Sequence, residues 1–181
     1  DDSHHALLPG AVEYEAALAS SSPARPPVEP SPDDLYILYT GGTTGMPKGV
    51  MYPMADITGF FARLGFQAAG LPVPEAASDL APMVRDLAAS GATPVSITGA
   101  PLMHGTGLWL GTFMHHMMGG HVVTLTSRSL DAHELLGLVQ RYRCTHNTIV
   151  GDSFSKPIIK ALDEATARGE AYDTSSLRMM V

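Results

Sequence analysis

The chain has 181 residues, of which 45% are hydrophobic and 16% charged, and its formal net charge is -7 at pH 7, values typical of one globular domain. The eleven Lys and Arg residues are scattered along the chain, which argues against a nucleic-acid partner. The most apolar stretch, 105–120, is shorter than the roughly 20 residues of a membrane-spanning helix, so no transmembrane segment is expected.

The N-terminal segment, residues 1–33, ends in a linker. Its last part, 20–33, reads SSSPARPPVEPSPD, and this composition of Pro and Ser favours extended conformations over a packed core. Strand and helix patterns alternate from residue 34 onward. They predict a strand at 35–40, helices at 54–67 and 79–89, and a strand at 95–98.

The alternation continues through the central part. A helix is predicted at 107–118 and a strand at 121–126. The next helix begins near Asp131 and Glu134, which stand in capping-box spacing. Apolar residues at three- and four-residue intervals give this helix one buried face, and a strand follows at 144–150.

The last helix is predicted to begin near Ser155, because Pro157 is tolerated in a first turn, where backbone N–H groups have no internal partner. Strands alternating with helices of this length form βαβ units. They predict an α/β fold with part of a doubly wound, mainly parallel sheet flanked by helices. The chain starts without an initiator Met and stops after the strand-like run 177–181, so we expect an excised piece of a longer protein.

A loop rich in glycine and threonine, YTGGTTGMPKG, follows the first predicted strand. Glycines permit positive φ values and let backbone N–H groups face an anion, which a side chain would obstruct. Threonine hydroxyls add donors, and a lysine adds one mobile positive charge. The loop is therefore predicted to hold nucleotide phosphates through Thr40, Gly41, Gly42, Thr43, Thr44, Gly45 and Lys48.

The loop differs from a Walker A sequence, which needs Gly-Lys followed directly by Ser or Thr. Here Met46 and Pro47 separate Gly45 from Lys48, and Gly49 follows. A P-loop-like ATPase or kinase is kept as an alternative. A flexible turn with an exposed lysine is the purely structural alternative.

The eleven-residue string resembles the phosphate-loop signature of the adenylate-forming superfamily, usually written Tyr-Thr-Ser-Gly-Thr-Thr-Gly-x-Pro-Lys-Gly. Gly41 stands where that pattern usually has Ser, which removes a hydroxyl but keeps the backbone donor. A second segment, APLMHGTG at 100–107, resembles the family's apolar-Pro-Leu-aromatic-His motif, which borders the acyl site. Together with TIVGDSFSKPI, these segments are most similar to acyl-CoA synthetases for fatty and sterol-side-chain acids.

This resemblance implies an acid-thiol ligase. A small carboxylic acid would be activated by ATP, with Mg²⁺, to an acyl-adenylate, and the thiol of coenzyme A would then displace AMP. The resemblance also makes His104 the candidate catalytic residue, as a wall or gate near the carboxylate. A non-catalytic nucleotide-binding domain is a further alternative, and a homodimer is compatible with the sequence.

Residues 34–181 would form an incomplete ATP- and acyl-binding subdomain. They lack the family's Tyr-Gly-x-Thr-Glu segment, its later ribose-binding Asp and the C-terminal domain that carries the adenylation lysine. The isolated piece is therefore expected to be inactive.

Other polar residues have plainer interpretations. His115, His116 and His121 are not accompanied by a carboxylate that would complete a ligand set, so no metal site is predicted and partly exposed helix histidines are the better interpretation. Gly151 and Asp152 follow a predicted strand, where ligand sites occur, but Asp152 is interpreted as a helix cap.

The single cysteine, Cys144, lies in a predicted strand without an adjacent base, so it is not expected to act as a nucleophile. It cannot form an internal disulfide, which favours a reducing, cytoplasmic location.

Overall fold

The computed structural model describes residues 6–41 and 45–181. The chain forms two units, Asp1–Ser31 and Pro32–Val181. The first unit contains the helix α1 (Tyr14–Ser20), which the sequence analysis did not predict. The carboxylate of Glu13 caps this helix by accepting a hydrogen bond from the Ala16 N–H at 2.7 Å.

The second unit begins with an antiparallel hairpin. β1 (Leu35–Thr40) pairs with β2 (Lys48–Pro53), and the pairing ends with Thr40 opposite Lys48. β1 was predicted as a strand, but its assignment to a βαβ unit is wrong, because its partner is the unpredicted β2. Gly49 lies opposite Tyr39, and a Cβ at Gly49 would approach the Tyr39 ring to 3.4 Å.

Two helices follow the hairpin, close to the predicted positions. α2 (Met54–Ala68) buries Ile57, Phe61 and Phe66 on one side, as expected for an amphipathic helix. α3 (Ala77–Ala89) starts where the Asp79 carboxylate accepts a hydrogen bond from the Ala76 N–H at 2.8 Å.

Four parallel strands form the main sheet, in the order β4–β3–β5–β6. They are β3 (Val95–Thr98), β4 (His121–Val123), β5 (His146–Thr148) and β6 (Met179–Met180). The prediction of a mainly parallel sheet is confirmed, although β4 and β5 are shorter than the predicted 121–126 and 144–150.

One face of the sheet is covered by α5 (Ala132–Tyr142) and α6 (Asp152–Ala167). Ile97 of β3 belongs to a buried apolar cluster with Leu135 and Ile158 from these helices. This cluster is the main core of the second unit.

The other face is covered by a π-helix (Thr106–Phe113) that continues into α4 (Met114–Met117). A Cβ at Gly111 would lie 2.8 Å from the Cβ of Thr98 and 3.5 Å from the hydroxyl of Thr148, so glycine lets this helix pack closely on the sheet. Helices on both faces of the sheet confirm the predicted α/β fold class.

The described residues include no helix with the length and apolarity needed to cross a membrane.

The start of α6 differs from the prediction. The helix begins at Asp152, and Gly151 occupies the N-cap with φ +59°, a left-handed value that favours glycine. Pro157 therefore lies beyond the first turn, where it leaves one backbone carbonyl without its helical donor.

The start of α5 is confirmed, since the Asp131 carboxylate accepts hydrogen bonds from the N–H groups of His133 and Glu134 at 2.9 and 3.0 Å. The Glu134 side chain does not close a capping box. It accepts a hydrogen bond from the Thr126 N–H at 2.7 Å and another from the Ser127 N–H at 3.2 Å, which ties the loop after β4 to α5.

Candidate functional site

The hairpin holds the two ends of the glycine-rich loop together. Thr40 and Lys48 form its last pair, and Thr40 Oγ1 donates to the Lys48 carbonyl oxygen at 3.4 Å. Both residues are exposed, as are Gly41 and Gly45. The other loop residues predicted to contact phosphates lie outside the described residues: Gly42, Thr43 and Thr44.

A cavity of about 950 Å³ lies beyond the carboxyl ends of β3 and β5. It brings Thr40 and Gly41 of the loop together with His104 of the second motif. Parallel sheets bind ligands at this end of their strands. The rest of the wall is mostly apolar and includes Leu38, Val50, Tyr52, Phe60, Phe61, Leu64, Met103, Trp109, Leu110, Val150 and Phe154. Such a cavity suits a ligand with a polar head and an apolar body.

His104 lies in the turn between β3 and the π-helix. Its backbone N–H donates to the Pro101 carbonyl oxygen at 3.0 Å, and its Nδ1 accepts a hydrogen bond from the Thr106 N–H at 3.2 Å. Because Nδ1 is the acceptor, the proton of the neutral ring is on Nε2. His104 is exposed and lines the cavity, so this Nε2–H can donate to a ligand oxygen.

Gly107 allows the His104 turn to fold tightly. A Cβ at this position would lie 2.7 Å from the Ala100 carbonyl oxygen and would also overlap the carbonyl oxygen of Pro101. The Thr112 hydroxyl donates to the Gly107 carbonyl oxygen at 3.3 Å inside the π-helix, a helix type often found at functional sites. The second glycine of the motif is therefore required by packing.

An aromatic cluster joins the hairpin to the π-helix, and the sequence analysis missed it. The Trp109 ring lies 5.3 Å from Tyr52, 6.0 Å from Phe61 and 6.4 Å from Tyr36. Tyr36 and Tyr52 are opposite each other in the hairpin. A prediction of β2 as the partner of β1 would therefore have placed these two rings side by side. Three of these rings also line the cavity.

The end of β5 contributes Val150 and Phe154 to the cavity, while Gly151 and Asp152 do not line it. Gly151, and not Asp152, occupies the N-cap of α6, so the interpretation of Asp152 as the cap is wrong. The Asp152 carboxylate pairs with Lys156 Nζ at 3.0 Å in the exposed first turn, where a negative charge is favourable.

The interpretation of three partly exposed helix histidines is wrong for two of them. His115 is buried, with 1% of its surface exposed, and burial together with the nearby His146 lowers its pKa to about 4. His121 is exposed but belongs to β4, whereas His116 is an exposed residue of α4. The described residues contain no group of three or more His, Cys, Asp or Glu that could hold a metal ion.

Cys144 lies just before β5 and is completely buried. Burial raises the pKa of its thiol to about 11, so little thiolate forms near neutral pH. This environment fits the prediction that Cys144 is not a nucleophile.

A parallel sheet covered on both faces, with a glycine-rich loop and a cavity at the carboxyl ends of its strands, is the arrangement in which doubly wound α/β proteins bind ligands. The chain belongs to the AMP-binding enzyme family, whose model matches residues 3–181. The resemblance inferred from the two motifs is thereby confirmed.

Two curated relatives illustrate the match. The chain is 38% identical to the medium-chain acyl-CoA ligase Mig of Mycobacterium avium, over 99% of this chain and 31% of that ligase. It is 34% identical to a 3-oxocholest-4-en-26-oate–CoA ligase of Rhodococcus rhodochrous, over 94% of this chain and 30% of that ligase. The chain therefore spans less than a third of the length of these relatives.

Solved structures share the fold. The inhibitor-bound N-terminal domain of FACL13 from Mycobacterium tuberculosis matches 92% of this chain, and 35% of that domain is covered, with a TM-score of 0.60 and 21% identity. ATP-bound MatB from Rhodopseudomonas palustris also matches 92% of this chain, over 27% of its own length, with a TM-score of 0.59 and 22% identity.

Proposed function

We propose that this chain is the ATP- and acid-binding part of an acyl-CoA synthetase. One observation carries the proposal: Thr40 and Gly41, at the start of the glycine-rich loop, line the same mainly apolar cavity as His104. A loop suited to phosphates thus adjoins a space suited to an acyl chain. The family membership and the ligase names of the curated relatives support this assignment.

The loop would hold the β- and γ-phosphates of ATP. Glycine N–H groups and threonine hydroxyls supply hydrogen-bond donors, and Lys48 supplies a positive charge that no ion pair within the described residues neutralises. The complete set is Thr40, Gly41, Gly42, Thr43, Thr44, Gly45 and Lys48. Mg²⁺ would accompany the phosphates at this loop and neutralise part of their charge.

His104 would stand beside the carboxylate of the acid and donate a hydrogen bond from Nε2. A carboxylate oxygen bonds to the α-phosphorus of ATP while the bond from that phosphorus to pyrophosphate breaks. The protein contributes positioning and charge neutralisation to this step rather than a covalent bond. The coenzyme A thiol would then displace AMP and form the thioester.

The wall of the cavity favours an acid with a large apolar body. Its aromatic and aliphatic side chains offer few polar partners beyond the loop and His104. Medium-chain fatty acids and sterol-side-chain acids meet this requirement, and the names of the two relatives support them. The role of 34–181 as the binding subdomain, the cytoplasmic location and the homodimer stay predictions.

Acid-dependent exchange of pyrophosphate into ATP, measured on the intact enzyme, tests the proposal. Exchange should require an acid from a panel of short, medium, long and sterol-derived carboxylates, and coenzyme A should yield the corresponding thioester. ATP hydrolysis without any acid would instead indicate an ATPase or kinase. Binding of ATP without exchange would indicate a non-catalytic nucleotide-binding domain. The 181-residue piece alone is expected to show little or no exchange.

A further inference from the structure

A buried cluster of polar side chains lies between the sheet and α4, away from the cavity. Ser96 of β3 and His146 of β5 are register partners. The ring of His115, from α4, meets the ring of His146 edge-on at 4.7 Å between centroids. Ser96 and His115 are 0% and 1% exposed. The pair therefore joins a buried histidine of α4 to a half-buried histidine of the sheet, next to the buried Ser96.

The hydrogen-bonding capacity of this cluster is largely unused. Neither ring nitrogen of His115 has a partner in the described residues, and the same holds for Ser96 Oγ. His146 Nδ1 lies 2.7 Å from the Thr145 hydroxyl. A charged imidazole at His115 would be buried with no anion beside it. Only the backbone carbonyls of Leu110 and Gly111 favour the charged form, and burial outweighs them, so protonation is costly.

The titratable groups that act on the pair oppose protonation. His115 is influenced by His146 on β5 and by His116 on its own helix, and Arg178, just before β6, acts on His146. Burial is the largest cause of the lowered pKa of both rings. None of these groups is an anion, so both rings are neutral near pH 7.

The pair is directly connected to the wall of the cavity. His115 follows the π-helix by two residues, and that helix supplies Thr106, Trp109 and Leu110 to the cavity. A displacement of α4 would move this part of the wall, because the two helices are continuous.

We propose that His115 and His146 form a proton-sensitive latch, which holds the π-helix against the sheet, and thereby completes the cavity, only while both rings are uncharged. Protonation of His115 would place a positive charge beside His146 and open the contact between α4 and the sheet. The latch does not depend on which ligand occupies the cavity.

The direction of the pH effect follows from the lowered pKa. The open state takes up a proton near the ordinary histidine pKa of 6.5, whereas the latched state takes it up only near pH 4. The latched state therefore has its full stability above about pH 6.5. Between about pH 6.5 and 4, the equilibrium constant of the latched over the open state falls by about tenfold per pH unit.

Fluorine NMR of the intact enzyme labelled with fluorotryptophan tests the latch. The Trp109 signal, assigned with Trp109→Phe, should stay in place down to about pH 5 and shift toward an open-state position as the pH falls from about 5 to 4. His115→Gln, which cannot titrate, should remove most of this shift. His121→Gln, a variant of an exposed histidine in β4 that is not among the groups acting on the pair, should leave it unchanged. An unchanged pH response in His115→Gln would overturn the proposal.

A second measurement needs no variant and covers the case in which His115→Gln fails to fold. Nitrogen NMR of the ¹⁵N-histidine-labelled wild-type enzyme reports the protonation state of each ring. The His115 ring should stay neutral down to about pH 5. A His115 ring that titrates near pH 6.5 in the folded enzyme would equally contradict the latch.

Discussion

Thr40 and Lys48 face each other in the last pair of the hairpin, and the Thr40 hydroxyl donates to the backbone carbonyl of Lys48. This pair fixes the main chain on both sides of the glycine-rich loop. Both side chains are nevertheless exposed, so the chemistry of the loop can be changed without disturbing the packed core.

Substitution Lys48→Ala should slow acid-dependent pyrophosphate exchange while leaving the fold intact. A hydrogen bond from a charged group contributes about 1.5–3 kcal/mol, which corresponds to about a 10- to 150-fold lower rate. The free energy of unfolding should change by less than about 0.5 kcal/mol, because the residue is exposed. Lys156→Ala is the matched control, since Lys156 is an exposed lysine outside the cavity lining. An exchange rate that is equal in both variants would refute the phosphate role.

Two amide substitutions at His104 distinguish the roles of its two ring nitrogens, the acceptor Nδ1 and the donor Nε2. His104→Asn retains an acceptor near Nδ1 for the Thr106 N–H but loses the donor at Nε2, whereas His104→Gln retains a donor near Nε2. We expect the Asn variant to unfold at nearly the wild-type temperature and to exchange pyrophosphate about 10- to 100-fold more slowly, a loss typical of one hydrogen bond to a charged group. The Gln variant should be the more active of the two. Equal, near-wild-type rates would leave His104 with a structural role only.

Gly107→Ala should destabilise the protein by about 1–3 kcal/mol, since its Cβ would meet the carbonyl oxygens of Ala100 and Pro101. Gly59→Ala is the control, because Gly59 lies in α2 with no atom within 4 Å of an added Cβ. There, alanine should stabilise by about 0.5–1 kcal/mol. Thermal unfolding of both variants measures the difference. Similar midpoints would mean that the His104 turn is looser than described.

Glu134 should give the protein an acid-sensitive component of stability. Hydrogen bonds from Ser127 and Thr126 lower the pKa of its carboxyl to about 2 in the folded state. This contribution is present above the ordinary pKa of 4.5 and is lost as the pH falls from 4.5 toward 2. Urea unfolding between pH 5 and 3 should therefore show a shallower pH dependence in Glu134→Gln than in the wild type. Glu29→Gln, in the linker, should keep the wild-type slope. Any contribution of the histidine pair is common to all three proteins and cancels in this comparison.

The two motifs that meet at the cavity could be found in the sequence, because each of them is a contiguous segment and the glycines, hydroxyls and lysine of the loop occur together. The second strand of the hairpin could not be predicted, because β2 reads KGVMYP and lacks a clear alternation of apolar and polar residues. The burial of His115 beside the exposed His116 was also unpredictable. Only the rotation of α4 relative to the sheet decides which of two adjacent histidines faces inward.

The hairpin that carries the loop shares no ladder hydrogen bond with the four-stranded sheet in the residues described, and rings such as Tyr52 and Trp109 join the two. A tilt of the hairpin would require its aromatic pairs to repack, each of which contributes about 0.5–1.5 kcal/mol. A single charged contact to a bound triphosphate is of the same size. If the loop binds ATP as proposed, we expect the angle of the hairpin to change, and distance measurements between Tyr52 and Trp109 with and without ATP would detect this change.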